Sequence, residues 1–202
     1  MKTGASRLFQ RSLLVAAAGI LALMLAACTG RGGGQLPPSP GFKAAASFGF
    51  SFSCQDSGGL NPPTGQLKIE LTYNDKGSNP IGSSFGIHGI VDRIDPTTES
   101  MICIGKNPPP GGNELIFLGR YYLTSSPPTG FPGSCTAGKT STTALCRFEV
   151  IVRDNDKNLA PSPGDYFHIT LSSATAVTSK LDPATVFYTR GGKLSSGNLT
   201  VD

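Results

Sequence analysis

Leu67-Lys68-Ile69-Glu70-Leu71-Thr72-Tyr73 alternates apolar and polar residues without a break. A period of two puts Leu67, Ile69, Leu71 and Tyr73 on one face and Lys68, Glu70 and Thr72 on the other, the pattern of a half-buried β-strand. The same rhythm recurs outward from it. Phe48, Phe50, Phe52 and Cys54 alternate with Ser and Gly. Cys146, Phe148, Val150 and Val152 are expected inward, with Arg147, Glu149 and Arg153 outward. After a turn at 154–164, Phe167, Ile169 and Leu171 should face in, and Tyr166, His168 and Thr170 out. Residues 114–123 (ELIFLGRYYL) are apolar on both faces, which fits a central strand. Residues 84–94 and 99–104 read as a strand pair around Asp95-Pro96, and VFYT (186–189) can pair with the closing KLSSGNLTV.

No helical periodicity is sustained beyond the first 27 residues. Gly and Pro, 26 and 16 of 202 residues, gather in turns between the apolar runs. Eight to nine short strands at this spacing predict an all-β fold, an antiparallel sandwich or barrel.

The N-terminus has a different character. Lys2, Arg7 and Arg11 precede an apolar stretch from Leu13 to Ala27, and small residues lead to Cys28. This is the layout of a secretory signal, too short and wrongly flanked for a membrane span. Leu25-Ala26-Ala27-Cys28 resembles the bacterial lipobox, in which the bond before the cysteine is cut and the new N-terminal cysteine carries lipid. The resemblance implies several acyl chains on Cys28 and hence a stable membrane anchor, since one chain alone holds only marginally. Residues 28–44, rich in Gly and Pro, read as a tether. Residues 45–202 read as a single extracytoplasmic β-domain. Removing three basic signal residues takes the net charge from +4 to +1, which argues against nucleic acid as a partner.

Cys54, Cys103, Cys135 and Cys146 remain, an even number suited to two disulfides in an exported chain. Cys135 and Cys146 bracket a polar loop beside a strong strand and are expected to pair locally; Cys54–Cys103 follows by elimination. No CxxC spacing supports zinc.

Together, ASFGFSF (46–52), CRFEVIVRDNDKN (146–158), GDYFHITLS (164–172) and GGKLSSGNLTV (191–201) resemble the post-COAP domain of bacterial surface and exported proteins. Its members show a phenylalanine-rich opening strand, an F-x-V-x-V-x-D-x-D run and a late G-N-[IL]-x-V strand, matched here by Phe48–Phe52, Phe148–Asp156 and Gly197–Val201. Ile87-His88-Gly89 fits its central HG, while the extra cysteines depart from its pattern. The resemblance implies an exported all-β domain and no catalytic residues.

Several motifs compete with that non-catalytic reading. Gly133 to Thr140 matches GxxxxGK[ST] in letters, but prolines precede it and a β-rich run follows, where a phosphate loop needs a strand before it and a helix after it. Gly82-Ser83-Ser84-Phe85-Gly86 matches the GxSxG elbow, which works in a parallel sheet with crossover helices. Ser84, His88 and Asp92 would be the residues of an exported hydrolase. On one strand they step about 13 Å per four residues, too far to hydrogen-bond. Asp154, Asp156, Asn158 and Asp165 offer oxygens at positions 1, 3, 5 and 12 of a calcium-type loop, though Leu159 stands where Gly is wanted. Calcium is the one metal to keep. Tyr121, Tyr122, Tyr166 and Tyr188 could line the sugar-binding face of a carbohydrate-binding module, but with no Trp in the chain ordinary packing and edge positions explain them. The leading expectation is a surface binding or structural module that presents loops at 55–65, 105–113 and 125–143 to a protein or glycan.

Overall fold

The computed structural model describes residues 27–55, 68–91, 113–155, 164–176 and 180–201. They form nine strands: β1 (Ala27–Leu36), β2 (Ala46–Gln55), β3 (Lys68–Asp75), β4 (Phe85–Val91), β5 (Glu114–Leu123), β6 (Cys146–Arg153), β7 (Tyr166–Ser172), β8 (Val186–Lys193) and β9 (Ser196–Val201). All lie in one antiparallel sheet, in the order β8-β7-β6-β5-β4-β3-β2-β1-β9. The expected 99–104 strand lies outside the described residues.

That order fixes the curl. β8 and β9 are opposite edges of the sheet, yet only Leu194 and Ser195 separate them. Two residues span well under about 15 Å even when extended. The sheet must therefore roll until its edges approach, giving a half-barrel. The expected pairing of the two C-terminal strands is corrected here: β8 pairs with β7 and β9 with β1. Gly191 and Gly192 lie within β8.

The expected inward residues fill the half-barrel. Phe48 on β2 stacks on Phe167 on β7, ring centroids 3.7 Å apart, so the concave face is closed across its middle. Phe117 on β5 packs against Phe50, Phe52 and Phe148. Burying such rings supplies most of the driving force, about 25 cal/mol per Å² of apolar surface. Two outward expectations fail. Arg147 is fully buried and donates through Nη1 to the Ala176 carbonyl at 3.2 Å, beneath the segment that follows β7. Thr170 is buried on that same outer surface.

The larger correction concerns 28–44. Its first part is no tether but β1, paired along its length with β2 and over Gly30–Gln35 with β9. Glycine is what allows this. A Cβ at Gly30 would meet Leu115 Cδ2 at 2.5 Å, and one at Gly32 would meet the Asn198 carbonyl at 2.5 Å. β1 is a strand over which neighbouring elements pass too closely for side chains.

Candidate functional site

A cleft of about 400 Å³ opens where β2, β3 and β4 meet the segment after β5. Ser47, Asn74, Lys76, Ser84 and Ser125 give it hydroxyl, amide and ammonium groups, with Phe85 and Gly86 between them. Its rim is held by two backbone N–H donors. Gly86 N–H donates to Ser125 Oγ at 2.8 Å, and Thr124 N–H donates to the Gly86 carbonyl at 2.9 Å. The neighbouring turn is set by Asn79, whose side chain accepts from Ile81 N–H and donates to the Ser83 carbonyl.

Asp75 also lines this cleft, although its side chain is buried. Its Oδ2 accepts from Arg190 Nη1 at 3.0 Å and from the Tyr188 hydroxyl at 2.7 Å. The Tyr188 and Tyr73 hydroxyls lie 2.5 Å apart. Arg190 Nη2 donates to the Pro37 and Ala44 carbonyls at 3.0 and 2.7 Å, and the guanidinium lies over Phe42 at 4.6 Å. Burial raises the Tyr73 and Tyr188 phenols well above the usual range, and the nearby Asp75 carboxylate adds to the rise. Sequence reading passed over this cluster. The signal was present: Tyr188 and Arg190 sit two apart in VFYTRGG, so strand parity sends the arginine inward with the tyrosine.

Of the hydrolase candidates, Ser84 and His88 are described, and they lie in different surroundings. Ser84 lines the cleft. His88 is on the outer surface, its Nε2 at 2.8 Å from Glu70 Oε2 and its ring stacked on Tyr122. Asp92 lies outside the described residues. Gly133–Cys135 is one 3-10 turn ending in a disulfide cysteine, not the helix start a phosphate loop requires.

Asp154 and Asp165 do converge, on backbone. Asp165 Oδ2 accepts from Leu199 N–H at 2.7 Å and Asp154 Oδ2 from Val201 N–H at 3.2 Å. Asp165 Oδ1 also accepts from Asn155 N–H. Both carboxylates are thus engaged with N–H donors, while Asp156 and Asn158 lie outside the described residues. No group of three or more metal-ligating side chains occurs among the described residues. Tyr121 and Tyr188 are buried in the core, so the four tyrosines do not share a sugar-stacking face.

Cys135 and Cys146 form the expected disulfide, with Cα atoms 5.4 Å apart. Cys54 stands in register with Cys28 at the far end of β2 from the cleft, and Cys103 lies outside the described residues. No described helix is long and apolar enough to cross a membrane. Comparison with known proteins finds no matching family model, curated protein or solved structure.

Proposed function

We propose that this chain is a lipid-anchored, extracytoplasmic β-module that binds its partner through the cleft at the end of the half-barrel away from the anchor. The observation that carries this reading is the placement of the two ends of β2. Cys54 faces Cys28 at one end, and Ser47 lines the cleft seven residues away. At about 3.3 Å per residue, the cleft lies roughly 23 Å along the strand from the anchor position. With β1 folded from its first residues, lipid on Cys28 seats one end of the half-barrel at the membrane and turns the cleft outward. The Cys135–Cys146 disulfide suits an oxidising compartment. The resemblance to the post-COAP domain and to the lipobox belongs to the same reading. The cleft chemistry, three serine hydroxyls with Asn74 and Lys76, suits a polyhydroxyl or anionic group on an envelope glycan or protein.

Two measurements test it. Cys28→Ser should abolish fatty-acid labelling and release the protein from the membrane fraction; a variant that stays bound removes the anchor. Soluble 29–202 should bind a set of purified envelope glycans and peptides, and Ser84→Trp should remove that binding without lowering the unfolding midpoint. Binding unchanged by Ser84→Trp removes the cleft from the reading.

A further inference from the structure

β1 and β2 run antiparallel with Cys28 directly opposite Cys54. The register is continuous for ten pairs, from Ala27 opposite Gln55 to Leu36 opposite Ala46, so a one-residue slip would break the whole ladder. Cys28 has the alternation parity of Gly30, Gly32 and Gly34; Cys54 has that of Phe48, Phe50 and Phe52. Facing positions on antiparallel strands bring Cα atoms to about 4.5–5.5 Å, inside the range of about 4.4–6.8 Å that a disulfide spans. β1 is also the strand with most to gain from a covalent staple, because Gly30, Gly32, Gly33 and Gly34 give it almost no side chains of its own.

We propose that Cys54 is the redox partner of Cys28: where the Cys28 sulfur carries no lipid, the two close a cross-strand disulfide. The lipid half of this statement rests on the anchored reading above. One sulfur cannot hold both bonds, so acylation leaves Cys54 to Cys103 and the unacylated chain joins Cys54 to Cys28. The step balances as a thiol–disulfide exchange. Two thiols lose two electrons and two protons, an S–S bond forms, and a protein disulfide oxidant is reduced to two thiols through a mixed disulfide. An oxidant of that class is already required for Cys135–Cys146.

The sequence makes the test clean, because trypsin leaves all five cysteines on separate peptides: 28–31, 44–68, 94–106, 121–139 and 140–147. Residues 28–202 exported behind a signal that receives no lipid should yield, after non-reducing digestion, peptide 28–31 joined to 44–68, with 94–106 carrying a free thiol. Cys54→Ser should make Cys28 alkylatable, and Cys103→Ser should leave the Cys28–Cys54 link intact. Peptide 44–68 joined to 94–106 in this unacylated form, or alkylation of both Cys28 and Cys54, overturns the proposal. The full chain in its own membrane separates the two readings. Lipid absent from peptide 28–31 there defeats the anchor and leaves the disulfide standing. Lipid present, with no bond in the unacylated form, defeats the disulfide and leaves the anchor standing.

Discussion

The two edges of the sheet meet the rest of the molecule in opposite ways. Beyond the reach of β1, the β8 edge faces the turn between β1 and β2, and Arg190 bridges the gap by donating to the Pro37 and Ala44 carbonyls. The β9 edge runs past the start of β7, and there Asp165 and Asp154 accept from the Leu199 and Val201 N–H groups. An unpaired strand edge offers both donors and acceptors, and each must find a partner when buried. From β8 a guanidinium reaches out to carbonyls of the β1–β2 turn, whereas at β9 carboxylates meet the strand's own N–H groups. The difference is that the guanidinium needs a buried counter-ion, Asp75, and the tyrosine pair around it, whereas each carboxylate stands on its own backbone donors. The β8 edge should therefore fail as a unit, and the β9 edge in parts.

Arg190→Met is the strongest test. It leaves Asp75 buried without its cation, and removing one partner of a buried pair costs about 3–5 kcal/mol. In urea unfolding, Arg190→Met and Asp75→Asn should each be severe, and the double variant much milder than their sum, because neither then strands a charge. Additive losses would show that the cluster is not one unit.

At the β9 edge, Asp165→Ala and Asp154→Ala should each cost about 1–3 kcal/mol, the penalty for a buried N–H left without its acceptor. Amide exchange should localise each loss, with Leu199 responding to Asp165→Ala and Val201 to Asp154→Ala. Both effects are expected to be the same in chelator and in calcium. A calcium-dependent gain in the parent protein that disappears in Asp154→Ala would restore the metal role of these carboxylates, because a ligand of the folded state raises its apparent stability.

Alternation in LKIELTY and CRFEVIVR exposed the strands and most of the core, because each side chain reports its own face. Spacing drew Asp154 and Asp165 together, and they do converge, each accepting from a β9 backbone N–H. β1 escaped because its evidence is the absence of Cβ atoms: Gly30 and Gly32 are there so that Leu115 and the β9 backbone can approach, and glycine runs read as tether. The cleft escaped because its polar groups come from the ends of four separate strands, β2 to β5, far apart along the chain. Arg147 was misplaced because the segment covering it follows β7, far along the chain.

Alkali separates the two edges further. Tyr73 and Tyr188 belong to the β8 edge, and burial raises both phenols; burial does the same to Tyr121 in the core. A folded-state value raised above the unfolded value of about 10 gives stability that is whole below pH 10 and is lost above it. Each protected phenol contributes about 1.4 kcal/mol of loss per pH unit beyond that point. Tyrosinate absorbance should rise in part directly, and in part only with unfolding. Tyr188→Phe should reduce the unfolding-linked part, while Asp165→Ala should leave its amplitude unchanged.

Acid gives the smallest effect and a test of sign. His168 on β7 lies against Gly191 of β8, beside Arg190. Burial, and then Arg153, lower its proton affinity. The unfolded chain takes up the proton first as pH falls, so the contribution of His168 is whole above about pH 6.5 and declines below it. Glu149 on β6 runs the other way. Burial raises its carboxyl, against the opposing pull of Arg147. The folded chain then holds that proton more tightly, so its contribution is whole below the ordinary carboxylate value and is lost as pH rises through the raised one. As pH falls the two act in opposite directions. His168→Gln should therefore gain stability on acidification relative to the parent, and Glu149→Gln should lose it, so that their unfolding midpoints diverge with opposite slopes. Amide exchange in His168-intact protein should loosen first at β8. Loosening that begins at Leu199 and Val201 instead would place the acid-sensitive step at the carboxylate edge and reverse the assignment.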